Sequence, residues 1–193
     1  ATYFCEYGAE YCRRFLRNVP WVAEQECGFW NDFPAVYGPE LYIWNIWTAA
    51  AGYRGANMYL FASGVNRGGM GFFGTDHNWQ APLDENGGKR GHYEAICRSL
   101  QDIRRDEEVF LSEQRYDIAF GIKNAPGLIW RDIAKASDNA YFALKTAGYT
   151  PMICDFEAAS QEEMLRHRVL WIVSDECMDA DVQAKLCSYA ESG

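Results

Sequence analysis

The chain alternates short apolar runs with amphipathic stretches along its whole length. Tyr11 to Arg17 has helical spacing, and Val19 to Ala23 is an apolar run of the length of a buried strand. Pro39 to Ala51 is again helical, with Leu41, Trp44 and Trp47 on one face expected to be core. Asn57 to Ala62 reads as a second strand. Ser63 to Gly74 then carries five glycines, which suits a loop folding closely around something. APLDENGG, Ala81 to Gly88, turns the chain, and Tyr93 to Glu107 returns to helical spacing. Strand, loop, helix, repeated, is the grammar of a parallel α/β fold.

Beyond about residue 110 the alternation becomes regular. Tyr116 to Ile122 is predicted as a strand and Leu128 to Ala147 as a long helix closed by Gly148. Thr150 to Phe156 is the next strand. Ser160 and Glu163 have the spacing of a capping box that opens a short helix. Arg168 to Val173, nearly all apolar, reads as a strand covered on both faces. Asp179 is placed to cap a last helix that buries Val182, Leu186 and Tyr189. This β-α-β-α-β-α order is the opening of a doubly wound sheet, with no internal repeat.

Composition narrows the partners. The 193 residues are 49% hydrophobic, ample for a packed core. A net charge of −9 argues against nucleic acid or an anionic membrane surface, because either would require a basic patch. No apolar stretch approaches the roughly 18 residues of a membrane span. Seven cysteines, scattered without CxxC spacing, fit neither a disulfide framework nor a zinc site and favour a reducing, cytoplasmic compartment. The pattern calls for neither a cofactor nor a metal. Aromatics make up 16% of the chain, with most of the Trp before residue 80, and flat rings of this kind stack on the C–H faces of sugars.

That skew gives meaning to VPWVAEQECGFW, Val19 to Trp30, where an apolar strand runs into two acids, a glycine and two aromatics. Retaining cleavage of a glycosidic bond uses two carboxyl groups about 5–5.5 Å apart, one attacking the anomeric carbon and the other protonating the leaving oxygen. In a (β/α)8 barrel such groups stand at the C-terminal ends of strands, and Glu24 has that position. Phe29 and Trp30 are candidate stacking surfaces for a pyranose ring, and His77, near Asp76 and Trp79, is a candidate pocket residue.

Three stretches, WVAEQECGFW, NMYLFASGVNRGG and APLDENGGKRGHYEAICRSL, together resemble the last two strands of the catalytic barrel in β-galactosidases of glycoside hydrolase families 35 and 42. Family 35 has an acid on the seventh strand followed four residues later by Gly and an aromatic, as Glu24 is followed by Gly28 and Phe29. Gln25 stands where family 35 has an aromatic, a pattern closer to family 42. The resemblance implies that Glu24 is the nucleophile, that Asn66 belongs to the loop after the eighth strand, and that the substrate is a β-galactoside. It places the acid/base carboxylate on the fourth strand, which this chain does not contain. A whole barrel takes about 250 residues and eight strands, of which residues 1–110 correspond to the last two, its last quarter, and the isolated chain is expected to be inactive.

Residues 111–193, and RVLWIVSDECMDADVQAKLCSYAESG above all, resemble the flavodoxin-like, glutamine-amidotransferase-like domain that follows the barrel in family 42 and contributes to its trimer contacts. A homo-oligomer is implied. Cys177 follows the right kind of strand for an amidotransferase thiol, but Glu176 and Met178 flank it where a strained elbow requires small residues. Cys154 lies inside a strand, and His92 and His167 read as structural or exposed. The expectation is thus an α/β chain: the end of a (β/α)8 TIM barrel over 1–110, then part of a flavodoxin-like doubly wound domain over 111–193. The competing expectation is a non-catalytic amidotransferase-like module that mediates subunit contacts.

Overall fold

The computed structural model describes residues 2–28, 38–64, 79–123, 131–174 and 177–192. In chain order the elements are α1 (Thr2–Arg14), β1 (Trp21–Glu26), α2 (Gly38–Ala50), β2 (Gly55–Tyr59), α3 (Gly91–Arg105) and α4 (Glu107–Leu111). They continue with β3 (Ile118–Ile122), α5 (Arg131–Thr146), β4 (Pro151–Asp155), α6 (Gln161–Leu165), β5 (Leu170–Ile172) and α7 (Ala180–Glu191). The protein is an α/β chain with parallel sheets. Its contacts divide into two units, Pro20–Ser112 and Ala1–Val19 with Glu113–Gly193.

In the unit Pro20–Ser112, β1 and β2 lie side by side and parallel, as a β-helix-β unit requires. Trp21 faces Gly55 and Val22 faces Ala56, and the pairing resumes with Gln25 opposite Met58 and Glu26 opposite Tyr59. Three steps along β1 thus answer two along β2, so a bulge falls at Ala23 and Glu24. The Trp21 ring occupies the space where a Cβ on residue 55 would sit, which explains Gly55. The core of this unit is Cys27, Leu41 and Ile96, with Met58 and Phe61 packed on it.

Two expectations are corrected here, for one reason. β1 runs from Trp21 to Glu26, not from Val19 to Ala23, so Glu24 lies within the strand and not just after it. Trp44 is 39% exposed, not core, and the buried face of α2 is Leu41, Asn45 and Thr48. Polar groups hydrogen-bonded to one another fill the layer between β1 and its helices, so polarity marks neither the end of the strand nor the outside of the helix.

The Ala81–Gly88 turn docks on the continuation of β2. Ala62 bridges Leu83, the Ser63 amide donates to Leu83 O at 2.9 Å, and the Leu83 amide donates to Phe61 O at 3.1 Å. Asp84 holds the turn closed by accepting from the amides of Asn86 (2.9 Å) and Gly88 (2.6 Å) through one carboxylate oxygen. Gly87, at φ +83°, takes the left-handed conformation that the turn needs.

In the other unit the sheet order is β4-β3-β5, all parallel, and every residue of the central strand β3 is buried. Ile118, Phe120, Ile122, Tyr141, Leu144 and Ile153 form its core. The helix read at Tyr11–Arg17 is instead α1, which begins at Thr2, ends at Arg14 and lays Tyr3, Tyr7 and Tyr11 on that core, with Phe15 just past its end. These residues recur every fourth position, the spacing at which helical side chains are neighbours, and Tyr11 stacks on Phe15 with centroids 4.9 Å apart. Glu10, 2% exposed, is held by Arg13 and by the Tyr116 hydroxyl, which donates at 2.8 Å.

The capping box at α6 forms as read: the Ser160 hydroxyl accepts from the Glu163 amide and the Glu163 carboxylate accepts from the Ser160 amide. Gly148 closes α5 at φ +91°. Asp179 precedes α7 but makes no capping hydrogen bond with its side chain, contrary to expectation. The strand read as covered on both faces is β5, an edge strand among the described residues, with Trp171 49% exposed.

Candidate active site at the carboxyl end of the two-stranded sheet

Side chains alternate across a strand, and at the end of β1 this divides three consecutive polar residues between two environments. Glu24 is exposed and Glu26 half-buried, while Gln25 between them is 2% exposed and faces the helices. Its Nε2 donates to Asn45 Oδ1 at 3.3 Å, and its Oε1 accepts from Thr48 Oγ1 at 3.4 Å. Asn45 Nδ2 in turn donates to Ser99 Oγ at 2.8 Å, and Ser99 Oγ donates to Ile96 O at 2.8 Å. A buried polar chain therefore runs from β1 through α2 into α3. Buried networks of this kind specify one arrangement when their members are satisfied.

The chain just past the acids is equally fixed. The Cys27 amide donates to Tyr59 O at 3.0 Å, and its thiol donates to the same carbonyl at 3.0 Å. Burial pushes the Cys27 thiol up to about 12, so it is a packed donor with no nucleophilic role. A Cβ added at Gly28 would stand 2.5 Å from Leu60 O and 2.6 Å from Trp79 O, so two backbone carbonyls leave room only for hydrogen at this position. Leu60 (φ 58°) and Gln80 (φ 46°), which adjoin this contact, both hold left-handed backbone conformations costly for such side chains. Ser63, just beyond β2, is buried and accepts from Arg90 Nη1 at 2.9 Å; the same nitrogen donates to Ala81 O at 3.1 Å.

The structure thus brings Glu24 and Glu26 together at one end of a parallel pair, anchored from behind. Phe29, Trp30, Asn66 and His77, the sequence-based candidates for sugar contact, lie outside the described residues. Gln25, Asn45, Thr48 and Ser99 were missed by sequence reasoning. Their signal was present in α2, where Asn45 and Thr48 fall on the same face as Leu41 in a helix that is otherwise aliphatic or aromatic after Glu40.

The two acids do not make a glycosidase pair by themselves. They are two residues apart on one strand, about 6.6 Å along it at the usual rise, whereas a retaining pair flanks the scissile bond from opposite sides. A retaining pair that included Glu24 would take its second carboxyl group from another element. Elsewhere, Cys154 lies in β4 with its thiol pushed up to about 11 by burial, and Cys177 is exposed with its carbonyl taken by Lys123 Nζ at 3.0 Å. His92 and His167 are both partly buried, and desolvation lowers the proton affinity of each. Among the described residues no group of three or more potential metal ligands occurs, and no helix is long and apolar enough to cross a membrane.

Comparison with known proteins adds three findings. Residues 128–193 match the family described as "GLMA-like, second domain". Over 201 aligned residues, covering 90% of this chain, the sequence is 24% identical to a β-1,2-glucosyltransferase of Ignavibacterium album, and over 160 residues, covering 75% of the chain, 25% identical to an exo-β-D-glucosaminidase of Pyrococcus horikoshii. The chain spans 28% and 21% of the lengths of these curated relatives. Among solved structures, the β-galactosidase of the psychrophilic Marinomonas ef1 superposes on 96% of this chain with a TM-score of 0.64 at 14% identity, the chain covering 29% of it. The fold is therefore one shared with glycoside hydrolases.

Proposed function

We propose that the chain supplies the closing strands of a (β/α)8 barrel in a retaining enzyme acting on β-glycosides, followed by the first part of a flavodoxin-like unit. The observation that carries this reading is Glu24: a carboxylate near the C-terminal end of a strand in a parallel β-helix-β unit, where barrel enzymes keep their catalytic groups. It stands at a bulge, a device that re-aims side chains beside active sites. The order β4-β3-β5 is that of the first three strands of the flavodoxin topology, which supports the second half of the proposal.

In this mechanism Glu24 attacks the anomeric carbon, the glycosidic C–O bond breaks, and a covalent glycosyl-enzyme forms with inversion. An acid/base carboxylate elsewhere in the protein protonates the departing oxygen and then deprotonates the acceptor, whose attack restores the configuration. Water as acceptor gives hydrolysis, and a sugar hydroxyl gives transfer. The likeness to a β-1,2-glucosyltransferase over 90% of the chain favours including transfer in the reading. β-Galactosides, which the motifs around Glu24 suggest, head the substrate panel, followed by β-glucosides and β-glucosaminides. Trp171 and Val169, about half exposed on and beside the edge strand β5, support a role for the second unit in contacts between copies of the protein.

The test is made in the full-length protein that carries this chain, on an activated aryl β-glycoside. Glu24→Gln should cut turnover by about 10⁴-fold or more, the scale of losing a covalent nucleophile, while substrate still binds. Glu24→Ala with azide should recover part of the rate and yield a glycosyl azide of inverted configuration. Glu26→Gln should act far more weakly. Normal turnover in Glu24→Gln would remove the assignment, and an essential Glu26 beside a dispensable Glu24 would move the site two residues along β1.

A further inference from the structure

We infer that Gln25 is a positioning residue that fixes the aim of Glu24 through the buried chain Gln25–Asn45–Ser99, an inference that rests on reading Glu24 as the nucleophile. Three observations combine. The bulge at Ala23 and Glu24 leaves the register of β1 against β2 interrupted at the position of the acid, so the regular ladder does not set the direction of that side chain. Gln25, the next residue, is where the pairing resumes, and its amide bonds to two side chains of α2, at 3.3 Å to Asn45 and 3.4 Å to Thr48. A cavity of about 220 Å³ lies against that amide, lined also by Met58, Leu100 and Ile103. With this space on one flank of a side chain that is otherwise buried, the hydrogen bonds to Asn45 and Thr48 add directional anchors to its packing.

The geometry then transmits directly. Because neighbours on a strand point to opposite faces, a Gln25 held toward α2 holds Glu24 toward the opposite face. Releasing Gln25 lets this part of β1 rotate about its axis, and the Glu24 carboxylate moves with it. Asn45 is itself held by Ser99 on α3, so the reference frame for the acid is the helix layer and not the strand alone.

The experiment uses the full-length protein and an aryl β-glycoside, with Gln25→Met as the variant of similar size that cannot make the bonds. A misaimed attacking group costs rate more than binding, so kcat should fall by about 10- to 100-fold with KM within about twofold. The decisive comparison is in the Glu24→Ala background with azide, where the nucleophile arrives from solvent and needs no aiming. There, adding Gln25→Met should change the rescued rate by less than about twofold, since effects that act through one group are not additive. If the rescued rate falls by the same factor as in the parent, Gln25 only supports the site as a whole and the proposal is overturned. Unchanged kcat in Gln25→Met overturns it too. Should Gln25→Met fail to fold, Ser99→Ala, which deletes one atom at the far end of the chain, should lower kcat about three- to tenfold with the same insensitivity under azide; a silent Ser99→Ala then refutes the proposal. Failure of azide to rescue Glu24→Ala, with turnover retained in Glu24→Gln, would instead dispose of the nucleophile reading and of this inference with it.

Discussion

Two glycines without a left-handed φ, one crowded and one open, allow the packing beside Glu24 to be tested by one chemical change. Gly28 has no left-handed φ, so alanine is conformationally permitted there, yet its Cβ would stand 2.5 Å from Leu60 O and 2.6 Å from Trp79 O. Neither carbonyl can rotate away as a side chain does, and the adjoining Leu60 and Gln80 already hold strained conformations at φ 58° and 46°. The clash must therefore be relieved by moving backbone, at a cost of about 1–3 kcal/mol typical of overpacking. Gly91, the first residue of α3, has nothing within 4 Å of its would-be Cβ. There alanine should be neutral or stabilise by about 0.4–1 kcal/mol, by restricting the unfolded chain. The assay is native-state hydrogen exchange, read at the amides of Cys27, which donates to Tyr59 O, and Ser63, which donates to Leu83 O. At 1.4 kcal/mol per decade, Gly28→Ala should speed exchange about 5- to 150-fold at these sites, while Gly91→Ala should leave it unchanged or slower. Equal effects of the two substitutions, or no effect at Cys27 and Ser63 in Gly28→Ala, would refute the reasoning.

Other outcomes follow from the same geometry. Ser160→Ala, which breaks the capping box of α6, should cost about 1 kcal/mol, whereas Asp179→Ala, whose side chain makes no capping bond, should leave α7 protection unchanged. Cys27 is buried and its thiol is raised to about 12, so alkylation at pH 8 should modify the exposed Cys177 and Cys187 and spare Cys27 in the native protein. Because the folded value lies above the ordinary 9.0, the stability from keeping this thiol neutral is complete below that pH and is lost as pH rises toward about 12, which an alkaline unfolding series reads out. Cys177→Ser should leave glycoside turnover unchanged, and the protein should release no ammonia from glutamine; glutaminase activity that the variant loses would reverse the judgement on that thiol.

What the sequence made legible is mostly local or apolar. The capping box of Ser160 and Glu163 lies within four residues and formed as read, as did the left-handed Gly148. The parallel pairing of the two segments around α2 was also readable, because a helix between two short strands permits little else. What escaped was the polar layer. A buried Gln25 bonded to Asn45 and Thr48 looks in sequence like the end of a strand and the wet side of a helix, and both misreadings, at β1 and at Trp44, trace to it. The length of α1 escaped for another reason: its aromatic ladder, Tyr3, Tyr7, Tyr11 and Phe15, is regular, but the core it covers lies more than a hundred residues away in β3, β4 and α5. For the candidate site, the sequence singled out Glu24 by its spacing to Gly28, and the structure supplies the reason for that glycine in the two carbonyls beside it.

The central claim, that Glu24 attacks the sugar, is tested most directly by trapping. The full-length protein is incubated with a 2-deoxy-2-fluoro β-glycoside carrying a good leaving group, which lets the glycosyl-enzyme form and slows its breakdown, and the labelled peptide is then sequenced by mass spectrometry. The account predicts one fluoroglycosyl ester, on Glu24, absent in Glu24→Gln and reduced in rate of formation in Gln25→Met. A label on Glu26, or a trapped ester on a residue outside this chain with Glu24 unmodified, would contradict it.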